Sequence, residues 1–228
     1  MLKNLANYYF PRSLDDAGSI LSEKQTKNVI IAGGTAVSLL RDQTIDGLVD
    51  LKYLPLVFIK ETVAGYSIGA MTTAQEVFQS SALSGPVGDL IRKAAGNIGS
   101  TLIRNSVTVG GNLVSVFPWS DLPPAFLALD AAVVSRHEKR NRTIPLMKLY
   151  STHPRNILKH GEIVTEIKIP KASPNSATAF TKFSKTKNDY AIVDVAVRIC
   201  LKNKKVFEAA IALSAISKLP MRARQLIA

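Results

Sequence analysis

Apolar and polar positions follow two different periods along this chain, and the switches between them mark its elements. Residues 12–27 place Ala17, Ile20 and Leu21 at helical spacing, with Ser13 positioned as a cap. Asp15 and Asp16 fall in the first turn, where the helix dipole favours acids. Residues 29–32 form a short apolar run that reads as a buried strand. Val37, Leu39 and Leu40 then begin a helical turn, and residues 44–51 (TIDGLVDL) read as a second strand. The first fifty or so residues therefore predict a parallel β-α-β unit.

After a break at Tyr53-Leu54-Pro55 the texture changes. Residues 56–60 and 67–69 read as strands. Thr72 and Thr73 can cap a helix bearing Ala74, Val77 and Phe78, and Gly85-Pro86-Val87 opens a longer helix through Ala94, Ala95 and Ile98. Residues 118–124 read as a proline-constrained loop before a short helix at 125–129. Residues 131–135 and 142–145 make a hairpin, and 162–170 (EIVTEIKIP) alternate and end at proline. Residues 171–176 are a polar linker and the best boundary in the chain. Beyond it, 178–183, 192–201 and 206–215 read as three antiparallel strands, and 221–228 as the start of an apolar, basic helix. The expected class is α+β.

Two double-glycine segments stand out, Ala32-Gly33-Gly34-Thr35 and Val109-Gly110-Gly111-Asn112. Each follows a strand-like stretch and reads as a turn at a strand end. Glycine suits a backbone that takes positive φ or approaches a ligand closely, and successive main-chain amides in such turns form anion-binding concavities. Two of them, far apart in sequence, are placed to grip a diphosphate from both sides. Neither has the Gly-Lys-Ser/Thr ending of a nucleotide-triphosphate loop or the Gly-x-Gly-x-x-Gly dinucleotide fingerprint. Thr35, Thr108, Asn112, Ser115 and Ser120 are neutral polar groups on the same loops and suit a diphosphate–polyol ligand. Asp121 has two readings, a cap or Asx turn, or an acceptor for a sugar-type hydroxyl.

Charge and cysteine content narrow the picture. The chain has 29 Lys and Arg against 17 Asp and Glu, a net charge of +12. That raises a nucleic-acid reading, but the cations are scattered, and aromatics at 7% give no evident base-stacking platform. The single cysteine, Cys200, lies in an apolar run. It allows no internal disulfide and no four-thiolate cluster, and fits a reducing, cytoplasmic setting. No leader-like segment and no membrane-spanning run is evident. His137, His153 and His160 show no metal-ligand spacing, and no carboxylate pair suggests a hydrolytic centre.

The glycine segments belong to a longer series: Ala32-Gly33-Gly34-Thr35, Ile68-Gly69-Ala70-Met71-Thr72-Thr73, Ile103-Arg104-Asn105-Ser106-Val107-Thr108-Val109-Gly110-Gly111-Asn112, Ser120-Asp121-Leu122-Pro123-Pro124-Ala125 and Leu127-Ala128-Leu129-Asp130-Ala131. In this order, and continuing through 162–170 and 183–197, the chain resembles the flavin-binding subunit of the molybdenum hydroxylases, the group of xanthine, carbon monoxide and nicotinate dehydrogenases. The resemblance implies non-covalent FAD in a two-subdomain PCMH-type fold. A small β-α-β unit (1–53) and a mixed-sheet unit (54–170) would make up an FAD-binding domain at 1–170. A small C-terminal α+β domain at 177–228, with a three-stranded antiparallel sheet, would be incomplete.

It also implies a site. Val29, Ile30, Ile31, Ala32, Gly33, Gly34, Thr35 and Ala36 would wrap the diphosphate. Thr108, Val109, Gly110, Gly111 and Asn112 would hold it from the opposite side, and Ser115, Ser120 and Asp121 would contact the ribityl and diphosphate region. Ile98 and Val164 match apolar lining positions. Lys182 and Tyr190 fall in the segment beside the isoalloxazine, where the resemblance makes Tyr190 a candidate to cover the ring; read from the residues alone they are a solvated cation and a strand-surface aromatic. The implied function is electron transfer, from [2Fe-2S] clusters on a partner subunit through FAD to NAD, oxygen or another acceptor. The molybdenum cofactor would sit on a large subunit. Two other readings stand beside this one, a cofactor-free scaffold of the same fold and a basic nucleic-acid-binding module.

Overall fold

The computed structural model describes residues 5–223. Its first unit is a small parallel sheet of order β1-β3-β2, formed by β1 (Asn7–Tyr9), β2 (Asn28–Ile31) and β3 (Gly47–Asp50). Helix α1 (Leu14–Leu21) joins β1 to β2, and the Ser13 side chain accepts from the Asp16 amide as its cap. Ala17 and Leu21 pack on Val49, Leu51 and Leu54 in a small core. Strand β1 escaped the sequence reading because three residues are too few to show a period. The connection from β2 to β3 holds only a single 3₁₀ turn, Val37–Leu39, where a helical turn was expected.

The second unit is a five-stranded sheet of order β4-β5-β8-β6-β7. Its strands are β4 (Ile59–Thr62), β5 (Gly65–Gly69), β6 (Ala132–His137), β7 (Arg140–Pro145) and β8 (Ile163–Pro170). Every pairing in it is antiparallel, which corrects the expected mixed sheet. Alternation along a strand reports which face is buried, not the direction of its neighbour. Five helices lie between β5 and β6: α2 (Ala74–Gln79), α3 (Gly85–Gly96), α4 (Thr101–Ser106), α5 (Val109–Ser115) and α6 (Leu122–Ala128). Two single-turn helices, α7 (Leu146–Leu149) and α8 (Pro154–Ile157), precede β8. The expected loop at 118–124 gives way to helix at Leu122. Pro123 and Pro124 sit in the first turn of α6, where a missing amide hydrogen forfeits no helical bond.

The third unit is an antiparallel sheet of order β12-β11-β10-β9, built from β9 (Ser176–Phe183), β10 (Val193–Lys202), β11 (Lys205–Ser214) and β12 (Met221–Arg222). It has four strands, not three. The predicted helix is corrected at Met221 and Arg222, which pair with Leu213 and Ala212; its remainder, 224–228, lies outside the described residues. Arg222 is drawn to the sheet by the Asp130 carboxylate.

Helix α6 explains how the large core closes. All seven of its residues are buried, as expected of a helix covered on every side. It packs on α3 and on β10 and β11, and Phe180, Ala196 and Ala212 of the last sheet share one hydrophobic cluster with it. Its C-terminal carbonyl at Ala128 accepts from Arg198 Nε at 2.9 Å, and the same guanidinium pairs with Asp130 and Glu208.

Candidate functional site

Between the small parallel sheet and the five-stranded sheet lies a cleft with a volume of about 150 Å³. One wall begins where β2 ends. Gly34 takes φ +75°, a left-handed backbone suited to glycine. Gly33 presses against the carbonyl of Ser106 so closely that a Cβ there would overlap it. The turn's main chain is therefore docked on the end of α4. Among the described residues, nothing accepts a hydrogen bond from the amides of Gly33, Gly34, Thr35 or Ala36. Four successive free donors on a turn form a nest for an anion.

The opposite wall differs from the sequence expectation. Gly110 and Gly111 do not turn the chain after a strand; they lie in the first turn of α5, preceded by α4. Thr108 caps α5 by accepting from the Gly111 amide at 3.3 Å. The Val109 amide donates to the Thr72 carbonyl and the Gly110 amide to the Ala70 carbonyl, both at 2.9 Å. A Cβ at Gly110 would lie 2.7 Å from that of Ala70, so glycine lets α5 settle on the end of β5. The amides on this side are thus largely committed. What faces the cleft instead is side-chain chemistry: the Thr108 hydroxyl, Ser115, and Asn112, whose Oδ1 is buried without a hydrogen-bond partner. The buried Tyr150 hydroxyl donates to the Leu113 carbonyl at 2.9 Å and fixes the far end of the helix.

Of the residues singled out by sequence, Ile30, Ala32, Gly33, Gly34, Thr35, Ala36, Thr108, Gly110, Gly111, Asn112, Ser115 and Val164 line this cleft. Val29, Ile31, Ile98, Val109, Ser120, Asp121, Lys182 and Tyr190 are not part of its lining. Ile98 and Val109 belong to the large core, and Ile31 lies beneath Gly34. Tyr190 rests on Trp119, ring centroids 4.7 Å apart. Lys182 is no solvated cation: its side chain is 5% exposed, with Nζ 3.0 Å from Asp121 Oδ1 and 3.0 Å from the Asn97 carbonyl. Asp194 and Ser214 complete this buried group, Ser214 donating to Asp194 at 3.0 Å. Burial pushes the Asp121 carboxyl up to about 6, against the pull of Lys182. Burial, and then the charge of Asp121, push Asp194 up to about 7.

Sequence reasoning missed Val37, Leu51, Ala70, Met71, Val114, Leu158 and Glu162 in the lining. The six apolar residues carry no chemical signal. Glu162 is a buried acid in an alternating strand region, and its partners come from distant segments. Arg142 grips it with two bonds of 2.6 Å, the Lys159 amide donates at 2.7 Å, and the Ser135 hydroxyl also donates. Burial alone would raise its pKa, but these bonds hold it below the usual value. The paired Arg142 guanidinium offsets the charge of the ionised Glu162. Among the described residues, no Lys or Arg lines the cleft and no cluster of metal-ligating side chains occurs.

The profile of the family described as FAD binding domain in molybdopterin dehydrogenase matches residues 3–172, and that of the CO dehydrogenase flavoprotein C-terminal domain matches 178–228. The chain belongs to the FAD-binding family of molybdopterin dehydrogenases. It is similar to the nicotinate dehydrogenase FAD-subunit of Eubacterium barkeri, with 32% identity over 79% of this chain and 64% of the relative. To the carbon monoxide dehydrogenase medium chain of Afipia carboxidovorans the identity is 28%, over 99% and 79%. A solved CO dehydrogenase from Oligotropha carboxidovorans superposes with a TM-score of 0.88 at 29% identity, covering 97% of this chain and 79% of that one. Within this family the chain is a FAD-binding medium subunit of a molybdenum hydroxylase-type oxidoreductase.

Proposed function

We propose that this chain holds FAD non-covalently in the cleft between its first two sheets and serves as the electron-transfer subunit of a molybdenum hydroxylase. The observation that carries the reading is the run of four free amides at 33–36, on a turn that lines the cleft and is held in place by Gly33 against Ser106 and by the positive φ of Gly34. The orphaned acceptor of Asn112 suits a ligand hydroxyl, so the cleft matches a ligand with both a diphosphate and a polyol. Bound flavin supplies the redox chemistry. The chain's own residues bind and orient it: the 33–36 amides receive the diphosphate, Thr108 and Asn112 hold the polyol, and Ile30, Leu51, Leu158 and Val164 exclude water.

Electrons would enter from [2Fe-2S] clusters on an iron–sulfur subunit and leave to NAD, oxygen or another acceptor. The molybdenum cofactor would lie on a large subunit. A chain with one cysteine, buried on β10, fits that division and a cytoplasmic setting. No helix among the described residues is long and apolar enough to cross a membrane. We also assign 1–170 as the FAD-binding domain and 177–228 as the C-terminal domain, a division supported by the break between the two family profiles.

Because no cationic side chain among the described residues lines the cleft, FAD affinity should depend weakly on salt. We expect a change under about threefold between 50 and 200 mM, whereas a nucleic acid held by six or more phosphate contacts would lose about 10³-fold. Equilibrium dialysis of the purified chain at several salt concentrations measures this. No FAD retention would sink the reading, and tight, salt-steep binding to DNA would favour the nucleic-acid module. A second test concerns Gly111, whose added Cβ would meet only the capping Thr108 hydroxyl, at 2.7 Å. Gly111→Val is expected to weaken FAD binding at least tenfold while costing about 1 kcal/mol of stability, the typical worth of a cap. Unchanged FAD affinity in this variant would favour a cofactor-free scaffold.

A further inference from the structure

Residues 157–164 run between the two units that bound the cleft, and one buried carboxylate fastens them. Leu158, Glu162 and Val164 line the cleft. Gly161, between them, takes φ +73° and lies so close to α1 that a Cβ would come 2.3 Å from Ser22 Oγ. Ile163 is 1% exposed and packs with Ala17, Leu21 and Val49 in the core of the small unit. Val164, the next residue, belongs to the large core. A shift of this segment therefore moves one face of the cleft and the contact with the small unit together.

Glu162 is the fastening. Its side chain is fully buried. Oε1 accepts from Arg142 Nε at 2.6 Å and from the Ser135 hydroxyl. Oε2 accepts from Arg142 Nη2 at 2.6 Å and from the Lys159 amide at 2.7 Å. Four donors meet the four lone-pair directions of a carboxylate, so none is left for a ligand. The same Arg142 Nη2 donates to the Ile157 carbonyl at 2.7 Å, and the Glu162 amide to the Lys159 carbonyl at 3.1 Å. Ser135 stands on β6 and Arg142 on β7, so these bonds tie the turn at 157–162 to the five-stranded sheet.

We propose that Glu162, gripped by Arg142, is a positioning residue for bound FAD: it touches no ligand atom and sets the 157–164 segment at the spacing from the 33–36 turn that the ligand needs. This inference rests on the flavin reading and deepens it. Two simpler roles make different predictions. If Arg142 only cancelled the charge of Glu162 against the diphosphate, another cation at 142, or removal of both charges, would preserve binding. If the pair only stabilised the fold, folded variants would bind FAD as wild type does.

The test is equilibrium dialysis of the intact chain against FAD. Far-ultraviolet circular dichroism and thermal unfolding show that each variant is folded at the assay temperature. Glu162→Gln, Arg142→Met and the double variant are each expected to weaken FAD binding about tenfold, within the coupling range of contacting side chains. The double variant should be no weaker than the worse single one. Arg142→Lys is expected to lose nearly as much, because one ammonium cannot fork across both oxygens and also reach the Ile157 carbonyl. Arg136→Gln is the control. It breaks the partly exposed pair with Asp15 on α1, 2.7 Å apart, and is expected to leave FAD affinity within about twofold, as surface pairs are worth little.

The proposal is overturned if Arg142→Lys or the double variant binds FAD as wild type does, or if folded Glu162→Gln keeps wild-type affinity. A loss in Arg136→Gln equal to that in Glu162→Gln also overturns it, because any loosening between α1 and the β6–β7 hairpin would then have the same effect. If Glu162→Gln does not fold, Arg142→Lys, which keeps both charges, decides alone. Failure of folded wild-type chain to retain FAD overturns the flavin reading itself, and this inference with it. That outcome is read on wild type, whereas failure of the inference alone is read on the variants.

Discussion

Gly33→Ala is expected to abolish FAD retention and to destabilise the chain by about 3 kcal/mol, the upper end of ordinary overpacking. The cause is local and severe. The added methyl would overlap the Ser106 carbonyl, which is main chain at the end of α4 and cannot rotate aside. Either the 33–36 turn or α4 must move. Movement of the turn re-aims the four free amides, and movement of α4 displaces the Thr108 cap that follows it. Chemical denaturation measures the stability loss, and dialysis against FAD the binding loss. A variant that keeps wild-type FAD affinity would show that the turn is not the anion site. The neighbouring Gly34→Ala should also lose binding, through its φ of +75° rather than through a clash.

Lys182→Met is expected to cost about 3–5 kcal/mol at pH 7.5, the range for removing one member of a buried ion pair. The substitution leaves Asp121 and Asp194 facing each other without the cation between them. The sign of the pH dependence follows from their raised pKa values, to about 6 and about 7. In the unfolded chain both ionise near pH 4. Between pH 4 and 7 the unfolded state therefore releases protons that the folded state keeps, and stability falls as pH rises. The deficit of Lys182→Met should then be largest above pH 7 and shrink towards pH 4.5, where the carboxyls are protonated in the folded state. Asp194→Asn should act oppositely. It removes a buried negative charge whose Oδ1 has no partner, and is expected to raise Tm above pH 7 and leave it nearly unchanged at pH 4.5. Thermal unfolding of the three proteins across pH 4.5–8 tests both signs. Parallel curves for wild type and Lys182→Met would show that the pair does not titrate as a unit.

The legible parts of the fold were those whose cause lies within a few residues. Helix α2 follows from Thr73 and Glu76, whose reciprocal bonds form a capping box. Strands β10 and β11 follow from alternation, and their burial alternates residue by residue along β10. The turn at Gly33-Gly34 was readable because positive φ and close approach both select glycine. By contrast, Val107-Thr108-Val109 looks like a strand leading to a turn. It becomes a helix start because Thr108 caps α5 and Gly110 lets that helix lie against Ala70, 40 residues earlier in the chain. The ribityl role expected of Asp121 came from the family resemblance, whereas the cation paired with it comes from β9.

Sequence by itself determined the order of most elements, the glycine turn at 33–34, and the shortage of cysteine and histidine. Those properties depend on composition, on short-range periodicity and on backbone sterics, which act between near neighbours. Tertiary structure alone decided the antiparallel direction of the five-stranded sheet, the helical state of residues 109–115, and the inward turn of Lys182 onto Asp121. It also brought Tyr190 onto Trp119. Each of these depends on burial and pairing between segments tens of residues apart, where desolvation and close packing outweigh local preference.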